Sequence, residues 1–185
     1  KAVKVDGAEA TVDNVKAGAY KLSRPFNIAT KGEPTGVAKD FISFILSKEG
    51  QAVVTDNKYI AVNDAAESFV SDGSSGQIAV GGSSSVSPVM EKLIEAYKSV
   101  NPNASIDLQT SDSTSGMTGA MDGTFAIGMA SRELKDEEAA QLTGTAIALD
   151  GIAVIVNPAN TIDELSMDQI KSIYVGDITD WGDLA

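Results

Sequence analysis

The 185-residue chain contains no cysteine and no histidine. The first absence excludes disulfides, thiolate metal sites, iron–sulfur centres and cysteine nucleophiles. The second excludes a Ser-His-Asp triad, imidazole metal ligands and imidazole acid–base chemistry. Basic residues are scarce: 14 Lys and Arg stand against 26 Asp and Glu, a net charge of −12, and the cations nowhere cluster. That argues against nucleic acid as a partner, because such binding rests on neutralised phosphates. Aromatics are few, with five Phe, four Tyr and one Trp. The longest apolar run, around Gly151–Val156, is far below the roughly 20 residues of a membrane span. Lys1–Asp6 does not read as a secretory signal.

Glycine is plentiful, and short apolar runs alternate with amphipathic stretches, which reads as α/β. Gln77–Val80 is a predicted strand, followed by Gly81-Gly82-Ser83-Ser84-Ser85. In the helix after it, Val86, Val89, Met90, Leu93, Ile94 and Tyr97 share one face, with Ser87 as cap and Pro88 at the first helical position. Asn101-Pro102-Asn103 ends it. Ser105–Leu108 is a strand entering Ser111–Gly116 and a short helix over Met117–Asp122. Phe125–Met129 is a strand entering Ala130-Ser131-Arg132 and a helix over Leu134–Ala140. Ala146–Val156 is one strand or two broken at Asp150-Gly151, and Ser166–Tyr174 is a helix. In the first 62 residues, strands are expected at Ala2–Val5 and Pro25–Thr30, and helices at Thr11–Ala17, Val37–Leu46 and Ser47–Val54, with Ser47 and Gln51 in reach of a capping arrangement. Residues 63–76 are small and polar and read as a linker. No repeat occurs at the roughly 20–50-residue periods of solenoids.

Three successive strand-to-helix turns, 81–87, 111–116 and 130–131, are built from Ser, Thr and Gly. In an open parallel sheet such turns emerge at the C-terminal edge of the strands, where ligands bind. Helix N-termini offer unpaired amides and positive dipole ends, so several meeting with hydroxyl donors make an anion site without lysine. The overall charge does not forbid this, since distant charges are screened over about 8–10 Å. Each serine taken singly also fits a helix cap. Arg132 offers a fork for a tetrahedral oxyanion, or else pairs with Glu133 or Glu137. Asp136-Glu137-Glu138 reads as a solvated helix face, and Asp177, Asp180 and Asp183 around Trp181 as a turn. There is no Walker A motif and no Ser-x-x-Lys. No residue pattern calls for a metal or a cofactor.

Gly81-Gly82-Ser83-Ser84-Ser85-Val86-Ser87-Pro88-Val89-Met90-Glu91-Lys92-Leu93 resembles the first phosphate loop and helix of phosphate ABC-transporter solute-binding proteins. Ser113-Thr114-Ser115-Gly116, Ala126–Lys135 and Ile170–Trp181 resemble later stretches of that family's N-terminal part. Leu22–Phe26, Thr30–Gly36 and Phe41–Gln51 resemble its C-terminal segment. The resemblance implies an order of segments that this chain inverts. In the family, the part like 77–185 comes first and the part like 1–62 last, with a second lobe between them. The chain therefore reads as a single lobe of a periplasmic-binding-protein-like fold (class II), three-layer α/β/α with a mostly parallel sheet, in circularly permuted order. The lobe spans 1–185, joined through 63–76, either engineered or cut from a tandem arrangement. The second lobe, with its Gly-Ser-Gly-Thr-Arg-type anion loop, is absent, and Lys1 and Ala185 fall at the expected hinge crossings.

Carried over by motif, the ligand is inorganic phosphate or a similar oxyanion. The expected donors are Ser85 by hydroxyl and amide, the Val86 amide, Ser113, Ser131 and Arg132, with Ser84 and Ser115 beside them. The resemblance implies a non-catalytic half-site of a bacterial phosphate uptake receptor, working with an ABC permease, extracellular or periplasmic and lipoprotein-anchored in the parent family. An isolated lobe is expected to bind weakly. The alternative is a self-associating module forming a homodimer through the exposed cleft face.

Overall fold

The alternation of Phe26 and Ile28 with Asn27 and Ala29 along one strand sends bulky side chains to one sheet face and small ones to the other. That asymmetry organises the larger part of the computed structural model, which describes residues 1–184. The chain forms two units: Arg24–Asp150, and Lys1–Ser23 together with the chain from Gly151 onward. Of the two readings of Ala146–Val156, the break at Asp150-Gly151 is the one observed: a strand ends at Gly151, and beyond it the Val3 amide donates to the Val154 carbonyl and the Val156 amide to the Lys1 carbonyl.

In the larger unit, β2 (Ser23–Thr30), β3 (Ile60–Ala61), β4 (Gly76–Ser83), β5 (Ala104–Ser111), β6 (Ile127–Ala130) and β7 (Thr143–Gly151) form one sheet in the order β3-β7-β2-β6-β4-β5. Strand β4 pairs in parallel with both β5 and β6, while β2 runs antiparallel to β6 and β3 to β7. One face carries α2 (Gly36–Leu46), α3 (Lys48–Asp56) and α4 (Ser87–Val100), which bury Phe41, Phe44, Ile45, Val54, Met90, Leu93 and Tyr97 against Phe26, Ile28, Val80, Ile127 and Met129. The other face carries α5 (Ser113–Asp122), whose Met117 and Ala120 pack on Ala29 and Ala130. The expected three-layer α/β class is the observed one. Each fully buried large apolar side chain contributes about 1.5–3 kcal/mol, so these layers outweigh any single polar contact in the unit.

Residues 63–76 do not hang free. The Lys48 amide donates to the Glu67 carbonyl, Phe69 packs edge-on against Phe44, and the Ser71 hydroxyl and Asp72 amide donate to Asp40. At α3, Ser47 caps the Gly50 amide as expected, but Gln51 does not close a capping box. It is buried, and its amide donates to the Ile45 and Ile147 carbonyls while its oxygen accepts from the Val62 amide.

The smaller unit pairs β1 (Lys4–Val5) in parallel with β8 (Glu164–Leu165), and holds α1 (Val12–Lys16) and α7 (Met167–Val175). Helix α7 begins with a Ser166–Gln169 capping box and ends at Gly176, whose φ of 86° suits glycine. Among the described residues no helix is long and apolar enough to cross a membrane.

Candidate functional site

Because β4 lies between β5 and β6 and is parallel to both, the chain leaves all three strands at the same sheet edge. The register sets Ser83 beside Ser111 and Gly82 beside Met129. All three turns therefore lie along one rim, as the spacing predicts. Two hydrogen bonds connect them directly: the Ser84 amide donates to the Ser111 carbonyl at 2.9 Å, and the Ser131 amide donates to the Ser113 hydroxyl at 3.1 Å.

The close approach depends on two glycines. A Cβ on Gly116 would lie 2.6 Å from the Met129 carbonyl oxygen and 2.7 Å from the Gly82 Cα. Gly82, at φ 135°, would meet the same carbonyl at 2.3 Å. Without side chains at either position, the start of α5 settles directly on β4 and β6, and Ser113 reaches the third turn.

The first turn is shorter than expected, because β4 continues through Gly81, Gly82 and Ser83 and leaves only Ser84–Val86. Helix α4 starts at Ser87, and its N-cap residue is Val86. Ser87 is not the cap: it is buried, and its hydroxyl contacts the Ser83 carbonyl at 3.3 Å and the Thr110 hydroxyl at 2.8 Å. The Val86 amide donates to the Ser83 carbonyl at 3.0 Å, so it is committed inside the turn and not offered to a ligand. Ser84 is exposed and Ser85 half-buried at the rim.

The second turn is reduced to one residue. Asp112 is the N-cap of α5, and Ser113, Thr114 and Ser115 form the first helical turn, not a loop. Asp112 accepts from the Thr114 and Ser115 amides and from the Ser115 hydroxyl at 2.7 Å. The Ser115 hydroxyl and amide, with the Thr114 amide, hold the Asp112 carboxyl below the usual carboxylate range. Ser115 is therefore spent on the cap. Ser113 differs: its oxygen accepts from Ser131, which leaves its own proton to donate outward.

The third turn is a loop leading to a single helical turn, α6 (Asp136–Ala139), shorter than the helix expected over Leu134–Ala140. Ser131 is half-buried beside Ser113. Arg132 is not a free fork. Its guanidinium is bidentate on Glu138, at 2.7 and 2.8 Å, and also reaches the Glu133 carbonyl at 2.9 Å. The partner is neither Glu133 nor Glu137 by side chain, and Glu138 is buried, not solvated. The Arg132 guanidinium holds the Glu138 carboxyl below its ordinary range. Buried Asn27 on β2 secures the loop by donating to the Arg132 carbonyl at 2.9 Å. Its signal was an amide inside an otherwise apolar strand.

What remains along the rim is a neutral set of donors: the hydroxyls of Ser84, Ser85, Ser113 and Ser131, beside the N-terminal turns of α4 and α5. Hydroxyls and a helix N-terminus bind an oxyanion without a compensating cation. Asp112 places one negative charge beside this set, so an anion must gain from short-range donation what it loses to that carboxylate.

A family model described as a PBP superfamily domain matches residues 68–185. The phosphate-binding protein PstS 2 of Streptococcus agalactiae serotype V is 51% identical over 187 residues, which takes in all of this chain and 64% of that relative. The phosphate-binding protein PstS of Staphylococcus haemolyticus is 38% identical over 111 residues, 56% of this chain and 35% of the relative. The crystal structure of a phosphate ABC transporter, phosphate-binding protein from Streptococcus pneumoniae TIGR4 superposes with a TM-score of 0.94 at 46% identity, over all of this chain and 72% of that one. The chain thus spans less than two thirds of the length of the curated relatives that it matches throughout. With the family model covering the three rim turns and the strands β4, β5 and β6 that carry them, this chain belongs to the PBP superfamily.

Proposed function

We propose that this chain binds inorganic phosphate at the rim formed by Ser84–Val86, Ser113 and Ser131, without catalysis, as part of a bacterial phosphate uptake receptor that delivers to an ABC permease outside the cytoplasm. The observation that carries the reading is the Ser131–Ser113 hydrogen bond, which turns two separate bends into one donor surface next to the start of α4. The relatives' names supply the ligand class. Arg132 acts here through Glu138 as a brace for the third loop, and the ligand contacts fall to Ser85, Ser113 and Ser131. An open rim leaves most of the ion in water, so affinity is on the order of millimolar and not the micromolar of an enclosed site.

The order of the segments also belongs to this reading. The streptococcal relative aligns through the whole chain, whereas the staphylococcal one aligns over little more than half. That contrast supports a permuted order present in the streptococcal proteins themselves, without engineering.

Calorimetric titration tests the site. Phosphate binding in the millimolar range, weakened about tenfold by Ser85→Ala or Ser113→Ala with the fold intact, supports it. Binding unchanged in both variants, or no phosphate-dependent heat or amide shift at Ser85, Ser113 and Ser131, overturns it.

A further inference from the structure

The sheet of the larger unit ends differently on its two sides. One outer strand, β3, is two residues long, whereas the other, β5, is eight and pairs with β4 in unbroken register over all of them. The Gly76 amide donates to the Asn103 carbonyl and the Ser84 amide to the Ser111 carbonyl, so the odd-numbered residues of β5 turn their backbone groups toward β4. The amides and carbonyls of Ile106, Leu108 and Thr110 therefore face outward, where no further strand lies. An open edge of this length is normally blunted by lysine, proline or a bulge. Strand β5 has none of the three, and its one charge, Asp107, accepts from the Gln109 side-chain amide at 2.8 Å. Ser105, Asp107, Gln109 and Ser111 are exposed, while Ile106 and Leu108 are half-buried on the face that carries α4.

We propose that β5 is a pairing edge for a second copy of this chain, joined antiparallel about a two-fold axis at Leu108. Residues whose backbone faces outward must meet one another, so Leu108 pairs with Leu108 of the second copy and Ile106 with its Thr110. That register sets Asp107 opposite Gln109 and Ser105 opposite Ser111, each pair occurring twice. Every cross-strand pair is then apolar, β-branched or hydrogen-bonding, and no like charges stand directly opposite. Centring the axis on Asp107 instead keeps the hydrogen bonds but sets two carboxylates face to face, so the sequence selects the first register. This self-complementarity singles out a second copy over an unrelated strand. The antiparallel joint leaves the two rims at opposite ends of the combined sheet, and the inference does not depend on phosphate binding there. Each copy carries a net charge of −12, and the seven paired residues, 105–111, are a small contact. A standard interface takes roughly 20–30 residues a side, so the dimer is weak, with a dissociation constant on the order of 0.1–1 mM. It tightens as salt screens the repulsion between copies.

Sedimentation of this chain from about 0.01 to 1 mM, at low and at high salt, tests the pairing together with two substitutions at exposed Gln109. Gln109→Asp sets carboxylates opposite Asp107 at both symmetric positions and should weaken the dimer about tenfold or more. Gln109→Lys sets opposite charges there and should tighten it about fivefold. Residue-resolved hydrogen exchange supplies the signature of the edge. Between the dilute and the concentrated protein, the Ile106, Leu108 and Thr110 amides should slow severalfold, while the Asp107 and Gln109 amides, already in the ladder with β4, stay unchanged. A monomer at about 1 mM in high salt overturns the proposal. So does association of equal strength in all three proteins, or protection that rises without the alternation along β5, because another face then carries the contact.

Discussion

The Ser131 amide and the Ser113 hydroxyl meet at 3.1 Å, although 18 residues separate them in sequence. This contact fixes the Ser113 oxygen as an acceptor toward the third turn, so its proton is available in another direction. Ser113→Ala removes both functions. We expect a stability loss of about 1 kcal/mol in urea unfolding and a roughly tenfold weaker phosphate affinity by calorimetry. Ser113→Thr retains the hydroxyl and should keep most of both.

Gly116→Ala separates helix propensity from packing. Alanine favours an exposed helix interior by about 1 kcal/mol over glycine. Here its Cβ meets three backbone atoms, the Met129 and Gly81 oxygens and the Gly82 Cα, all within 2.9 Å. Backbone cannot swing aside as a side chain can, so overpacking wins and a net loss of about 2–3 kcal/mol is expected. The control is Gly123→Ala at the end of the same helix. Nothing lies within 4 Å of its Cβ, and only the left-handed φ of 85° opposes it, at about 1 kcal/mol. Denaturant midpoints for the two variants should differ accordingly, and phosphate affinity should fall only in Gly116→Ala.

Much of the rim was legible because periodicity and turn chemistry are local signals. The stripe Val89, Met90, Leu93 and Tyr97 located α4, and the alternation of polar turns with apolar strands located all three exits. Hydrogen-bond commitment was not legible, because it depends on partners distant in sequence or one helical turn away. Arg132 reads in the sequence as a ligand fork or as the partner of Glu133 or Glu137, whereas Glu138, six residues on, is the carboxylate that occupies it. Ser115 and Val86 carried the right groups in the right turn, yet the Asp112 cap and the Ser83 carbonyl take them. The break at Asp150-Gly151 was legible as one of the two readings of Ala146–Val156, but the partner of the residues beyond it was not. Residues 154–156 pair antiparallel with Lys1–Val3, at the far end of the sequence.

The Arg132–Glu138 pair predicts non-additivity. Glu138 has a side chain 3% exposed and Arg132 one 30% exposed, so removing either partner alone leaves a charge in a largely dry setting. Arg132→Gln and Glu138→Gln should each cost about 2–3 kcal/mol, and the double variant less than the sum. Since the guanidinium is already bidentate on Glu138, the double variant should bind phosphate within about threefold of the parent chain. A loss of a hundredfold would return Arg132 to the list of ligand contacts.

Asp40 is buried on α2 and takes hydrogen bonds from the Tyr97 and Ser71 hydroxyls, the Asp72 amide and the Asn101 side chain. Burial alone raises its carboxyl, but these donors, Tyr97 foremost, more than offset it and hold Asp40 below the usual carboxylate range. The folded chain therefore prefers the ionised form, and its contribution to stability is present above the unfolded value of about 3.9. It fades as pH falls through the lower folded value. Asp40→Asn supplies one acceptor and two unwanted donors to a site crowded with donors, so about 2 kcal/mol should be lost at pH 7. The deficit should shrink toward pH 3, where the parent chain begins to lose the same interaction and the variant has nothing left to lose. Urea unfolding at both pH values measures that difference. A deficit that stays constant or widens in acid would mean that the carboxylate charge is not what ties residues 71–74 to the core.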